Sequence, residues 1–123
     1  LEHALGGEIL VPKIPSYRIT DVATAVCPQC RQTVVGIRPG EKLHEEMITE
    51  SDGPNTVDLG PYYAILPSSG PTAIDEYVAR TGARRVPEGF SYESGRNADF
   101  LSVDALRELI HPRQPVAADA VSA

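Results

Sequence analysis

Proline limits this chain more than any other residue. Eleven prolines punctuate 123 residues. Each fixes its own φ, carries no N–H and disfavours a helical neighbour on its N-terminal side, so few helices or strands can run far between them. The spacing predicts several short elements joined by ordered loops, not a helical bundle. At this length the chain suits one ordinary domain, and its 41% hydrophobic and 23% charged residues exclude wholesale disorder.

The net charge is −6, and Lys13 and Lys42 are the only lysines. That excludes the broad positive field of a nucleic-acid or anionic-membrane surface. A phosphate-bearing ligand would have to be held locally, by a few cations and backbone N–H groups. No apolar run approaches the ~18 residues of a membrane span, and no signal peptide is visible. The expected compartment is the cytoplasm, with no membrane and no nucleic acid among the partners.

Along the chain, Glu8 to Pro12 (EILVP) reads as a buried strand. Pro12 and Pro15 bracket Lys13-Ile14 in a stiff extended loop. Thr20 is the expected cap of a helix with Asp21 in its first turn, Ile19, Val22, Ala23 and Val26 at helical spacing, and Pro28 as its stop. Gln32 to Arg38 (QTVVGIR) is β-branched and reads as a second strand. Pro39-Gly40 turns the chain, and a helix is expected from Glu41 to Ile48 with Leu43, Met47 and Ile48 inward. Residues 49–61 read as loop, Tyr62 to Leu66 as a third strand and Thr72 to Arg80 as a helix closed by Gly82. Phe90 and Tyr92 alternate as in a strand. Ser102 caps a last helix whose stripe is Val103, Leu106, Leu109 and Ile110, ended by Pro112. Residues 112–123 are expected to be a flexible tail.

Among the motifs, Cys27-Pro28-Gln29-Cys30 has the spacing of a zinc half-site or a dithiol. No second pair completes a zinc set, since His3, His44 and His111 are scattered. A redox pair belongs at a helix N-terminus, whereas this one follows a helix. The motif reads as two incidental cysteines in a turn, with no metal site. His44-Glu45 is not the start of HExxH, because Ile48 stands where the second histidine would be. GIRPGEK lacks the GxxxxGK[ST] spacing, and no GxGxxG is present.

Arg38-Pro39-Gly40-Glu41 is the strongest remaining candidate. An arginine at a strand's end, beside a rigid turn and an expected helix start, can meet a phosphate bidentately. Glu41 could accept hydrogen bonds from sugar hydroxyls. The bland alternative is a turn in which Arg38 pairs with Glu41 or Glu45.

Longer strings narrow the choice. GGEILVPKIPSYRITDVATAV, GIRPGEKLHEEMITESDGPNTVDLGPYYAILPS and FSYESGRNADFLSVDALRELI, in this order, resemble the C-terminal portion of the inverting UDP-N-acetylglucosamine 4,6-dehydratases. The resemblance runs nearly from residue 6 to residue 110. It implies an α/β fold: the small substrate-binding lobe, over residues 1–111, of an extended short-chain dehydrogenase/reductase acting on sugar nucleotides. Members of that family are lyases. They bind NADP(H) on a Rossmann half and UDP-N-acetylglucosamine beneath the smaller lobe, and they make UDP-4-keto-6-deoxy sugars for polysaccharide and flagellin glycans.

The departure from the family is the missing cofactor half. No glycine-rich cofactor loop is present, and no YxxxK exists, since Ile9 and Arg38 stand four residues before the two lysines. The resemblance therefore implies no catalytic residue here, no cofactor bound by this segment, and inactivity without the Rossmann half. It implies a parent that forms homo-oligomers. It also places Arg38 at the diphosphate, Glu41 on the ribose side, and Val11, Pro12 and Lys13 along the uridine. Ser16 and Arg18 are weaker candidates, and Ser94 and Asn97 belong to the resemblance without a derived role. A CxxC zinc or redox module and a non-catalytic interaction domain are the competing readings.

Overall fold

A computed structural model describes residues 6–67 and 70–111. In chain order its elements are β1 (Ile9–Pro12), α1 (Ile19–Val26), β2 (Glu46–Ile48), a 3-10 turn (Gly53–Asn55), β3 (Thr56–Asp58), β4 (Tyr62–Ile65), α2 (Pro71–Thr81), β5 (Arg84–Arg85), β6 (Tyr92–Glu93) and α3 (Val103–Ile110). These form two units, one from residues 6–14 and 42–97, the other from residues 15–41 and 98–111. The short mixed elements are those of an α/β fragment, as the proline spacing requires.

In the first unit the main sheet runs β1-β4-β3-β5, with every pairing antiparallel. β1 is an edge strand, and its ladder sets Leu10 opposite Ala64 and Pro12 opposite Tyr62. The Lys13 N–H donates to Pro61 O at 3.1 Å, so by alternation the Pro12 nitrogen faces the open edge. There its missing N–H costs no ladder bond. β2 and β6 pair separately, with an irregular register between Glu46 and Ile48.

The core of this unit is Val57, Ala64, Leu66, Ile74, Tyr77 and Ala83. α2 supplies Ile74 and Tyr77 to it. Burying each large apolar side chain here contributes roughly 1.5–3 kcal/mol. α2 ends where Gly82 takes a left-handed φ of 72° and its N–H closes on Val78 O, the cap that glycine makes cheaply. Gly53 is required for a different reason: a Cβ there would lie 2.7 Å from the Phe90 carbonyl oxygen.

In the second unit α1 packs against α3. Ala25 of α1 and Leu106 of α3 are buried. Ser102 Oγ accepts from the Ala105 N–H at 3.1 Å, the cap read from the sequence. Ser16 bridges the Asp99–Leu101 stretch through its own N–H and carbonyl. After α1, Gln32 Nε2 donates back to Thr20 O and Thr24 Oγ1, clipping the outgoing chain to the helix.

Four expectations are corrected. Gln32 to Arg38 is not a strand: Val34 and Val35 are 90% and 88% exposed, and residues 33–37 make no hydrogen bond among the described residues. β-branched composition favours a strand only where a partner exists. Glu41 to Ile48 is not a helix; Leu43 is exposed, and residues 46–48 pair as β2 with β6. Ile48 is inward, as read, but Met47 is not. The α1 N-cap is Arg18, not Thr20, whose carbonyl instead receives the Thr24 hydroxyl and Gln32. The 49–61 loop contains the 3-10 turn and β3, an inner strand paired on both sides. The expected tail, residues 112–123, lies outside the described residues.

Candidate functional site

Arg38-Pro39-Gly40-Glu41 folds as a tight turn. The Glu41 N–H closes on Arg38 O at 3.1 Å, and Gly40 sits at φ +85°. Proline then glycine with positive φ is the signature of a type II turn, so these two residues dictate the bend. Glu41 Oε2 accepts from the Arg38 N–H at 3.1 Å, and Glu41 Oε1 lies 3.9 Å from the guanidinium. Arg38 therefore does face its own carboxylate. The pair is loose, with an Arg38 side chain 83% exposed, and such surface pairs contribute little. A guanidinium held this weakly can exchange its partner for a bidentate anion. The expected helix start is absent, so no helix N–H groups stand behind this turn.

Val11, Pro12 and Lys13 belong to the other unit. Val11 is buried, on the sheet face opposite the one where Leu10 packs on the core, while Pro12 and Lys13 are exposed. Lys13 Nζ donates to Asp58 Oδ1 at 2.8 Å and lies 4.6 Å from the centre of the Tyr63 ring. Tyr63 packs in turn on Phe90 and Tyr92, ring centres 5.0 and 5.2 Å away. Burial pushes the Asp58 carboxyl up, but Lys13 and the Gly60 N–H outweigh it and hold the group below its ordinary value. Burial also raises the Tyr63 phenol.

The string YESGRN now has a local account. Tyr92 Oη accepts from the Ile14 N–H and donates to Ile14 O, both at 2.8 Å, and Asn97 Nδ2 donates to the same carbonyl at 2.9 Å. Ser94 exchanges two bonds with the Glu45 backbone. Glu93 pairs with Arg96 at 3.1 Å. Gly95 leaves room for His44, whose ring atoms would lie 2.9 Å from any Cβ there. Sequence reasoning missed Asp58 altogether, because nothing local marks a carboxylate that answers a lysine 45 residues away.

Cys27 and Cys30 are joined in a disulfide that closes the turn after α1. Both sulfurs are thereby spent, and neither is a thiolate ligand. Separately, a cavity of about 730 Å³ in the first unit opens beside Asn55, the start of α2 and Arg85; none of Val11, Pro12 and Lys13 lines it. Among the described residues no helix is long and apolar enough to cross a membrane.

A family model described as "Polysaccharide biosynthesis protein" matches residues 1–67, more than half the chain. The chain belongs to this family. A relative, the UDP-N-acetylglucosamine 4,6-dehydratase (inverting) of Campylobacter jejuni, is 41% identical over 114 residues, covering 89% of this chain and 34% of the relative. The UDP-glucose 4-epimerase of Rickettsia canadensis is 28% identical over 113 residues, with 33% of its length covered. The chain thus spans about a third of the curated relatives it matches. The solved structure of Pen from Bacillus thuringiensis superposes with a TM-score of 0.65 over 87% of this chain and 32% of Pen, at 24% identity, a likeness of fold. The resemblance read from the quoted strings is borne out by the dehydratase relatives.

Proposed function

We propose that this chain is the substrate-binding C-terminal part, residues 1–111, of an NADP-dependent, C5-inverting UDP-N-acetylglucosamine 4,6-dehydratase. The parent would be a lyase of the extended short-chain dehydrogenase/reductase class, cytoplasmic and homo-oligomeric, making a UDP-4-keto-6-deoxy sugar for polysaccharide or glycoprotein glycans. One observation carries the reading: an exposed, weakly held Arg38 on a proline–glycine turn, in a chain 41% identical to such a dehydratase.

In this reading Arg38 meets the diphosphate and displaces its contact with Glu41, leaving Glu41 to accept from the ribose hydroxyls. A charge-assisted contact of that kind is worth roughly 1.5–3 kcal/mol. Lys13 holds its own segment through Asp58, and the Val11 side chain is buried. The VPK stretch would therefore meet the uridine through its main chain and the exposed Pro12 ring.

NADP(H) supplies the hydride acceptor in such enzymes, but the residues present do not fit it. α1 starts from Arg18 and α3 from Ser102. α2 opens on the lone glycine of SSGP, so among the described residues no helix begins with the glycine-rich turn a dinucleotide needs. No chemical step is assigned to this chain. Support for a partner half comes from the bare apolar residues: Val34, Val35 and Leu43 are 83–90% exposed, more than a self-sufficient surface ordinarily shows in one short stretch.

The test is calorimetric. UDP-N-acetylglucosamine is titrated into the 123-residue chain alone and after addition of a cofactor-binding half from the same family. Weak or no binding alone, restored on addition, is expected. In the complete enzyme, Arg38→Ala should weaken substrate binding about tenfold or more. Unchanged affinity and turnover in that variant would remove Arg38 from the pocket.

A further inference from the structure

The loop Pro12-Lys13-Ile14-Pro15 holds only two N–H groups, because both flanking residues are prolines. The ladder takes one, Lys13 to Pro61 O, and Tyr92 takes the other. Tyr92 and Asn97 both donate to the Ile14 carbonyl, so one residue is gripped on both of its backbone polar groups by side chains 78 and 83 residues downstream. The same Tyr92 ring leans on Tyr63, whose face carries the Lys13 ammonium. Ser94 and Gly95 fasten this downstream stretch to residues 44 and 45. Two routes, one through backbone and one through rings, thus run from Tyr92 to Lys13.

We infer that Tyr92 and Asn97 are positioning residues: together they fix the Ile14 backbone, Tyr92 at the Lys13–Ile14 and Ile14–Pro15 peptides and Asn97 at the second, and through it the direction of the Lys13 side chain. Their importance for ligand affinity rests on the function proposed above, which makes this segment a wall of the UDP-sugar pocket. The positioning itself does not depend on that reading. A phenol that accepts from the N–H and donates to the carbonyl of one residue fixes the rotation of the two peptides that flank it, which a bare proline-flanked loop leaves to β1 alone. Phenylalanine at position 92 would keep the ring stack and lose both bonds.

The experiment compares wild-type protein, Tyr92→Phe, Asn97→Ala and the double variant by NMR, without ligand. The readouts are exchange of the Ile14 amide and titration of the Asp58 carboxyl. Tyr92→Phe should speed Ile14 exchange about three- to tenfold. The double variant should speed it further and move the Asp58 titration back toward the ordinary carboxylate range. Ser102→Ala, which weakens the other unit's α3, serves as a control for general loosening and should move neither readout. Unchanged Ile14 exchange and Asp58 titration in the double variant overturn the inference; so does an equal response in Ser102→Ala.

In the complete enzyme the same two variants should raise KM for UDP-N-acetylglucosamine about three- to tenfold with kcat held. A kcat loss without a KM change overturns the role in binding. If wild-type enzyme itself fails to take the sugar nucleotide, the function falls, and the ligand-free NMR still decides the positioning.

Discussion

Lys13 and Asp58 close an ion pair of 2.8 Å across 45 residues of sequence, joining the end of β1 to the end of β3. Asp58 also accepts from the Gly60 N–H at 2.8 Å, so one carboxylate ties the edge strand and fixes the turn into β4. The cation has a second neighbour in the Tyr63 ring. In a chain with only two lysines this spends one of them on structure.

The pair makes stability depend on acidity in a defined direction. The folded Asp58 carboxyl titrates below its ordinary value, and an unfolded aspartate titrates near about 3.9. A lowered folded pKa gives stabilisation that is complete above the unfolded value and is lost as pH falls through the folded one. Denaturant melts from neutral pH downward should therefore hold steady to about pH 4 and then fall. Lys13→Met should cost about 0.5–1 kcal/mol at neutral pH, the pair being part-exposed, and should shrink that acid slope. A Lys13→Met chain with the wild-type acid slope would show that other carboxylates govern it.

What the sequence made legible follows the range of the signal. α2 and α3 announce themselves within a turn or two, through Gly82 and Ser102, and β1 and β4 through compact apolar runs. β3 has only Thr56, Val57 and Asp58, and it is a strand because β4 and β5 flank it. Glu41 to Ile48 carries helix-favouring residues, yet its last three pair with Tyr92–Glu93, a partner more than 40 residues on. Around the candidate site, the Arg38 turn was readable from Pro39-Gly40 alone. The Ile14 grip was not, because a tyrosine and an asparagine in a polar loop look like any others until the chain brings them back.

Gly53 gives the sharpest steric prediction. Its backbone approaches Phe90 so closely that an added methyl would sit 2.7 Å from a carbonyl oxygen, which cannot rotate away as a side chain would. Gly53→Ala should cost roughly 1–3 kcal/mol, seen as a lower denaturation midpoint with an unchanged slope. The cost would come from pushing the loop that carries Phe90 off Tyr63, so near-ultraviolet dichroism of the tyrosines should change as well. An unaltered midpoint would mean that Phe90 O and Gly53 are further apart in solution.

Two kinds of valine in this chain should behave oppositely. Val57, on the sheet, is wholly buried in the cluster with Ile74 and Tyr77 of α2, whereas Val34 and Val35 are 90% and 88% exposed, with no backbone bonds about them among the described residues. Val57→Ala removes two methyl groups from a packed core and should cost roughly 1.5–3 kcal/mol. Val34→Ser with Val35→Ser removes apolar area already in water, so the melt of the isolated chain should move by less than about 0.5 kcal/mol. Its association should change instead: adjacent bare β-branched residues on an unpaired backbone are a template for pairing with another copy. Sedimentation of the 123-residue chain should show concentration-dependent self-association that the double serine variant loses. If wild type and variant sediment alike as monomers, segment 33–37 is inert in isolation and does not wait for a covering half.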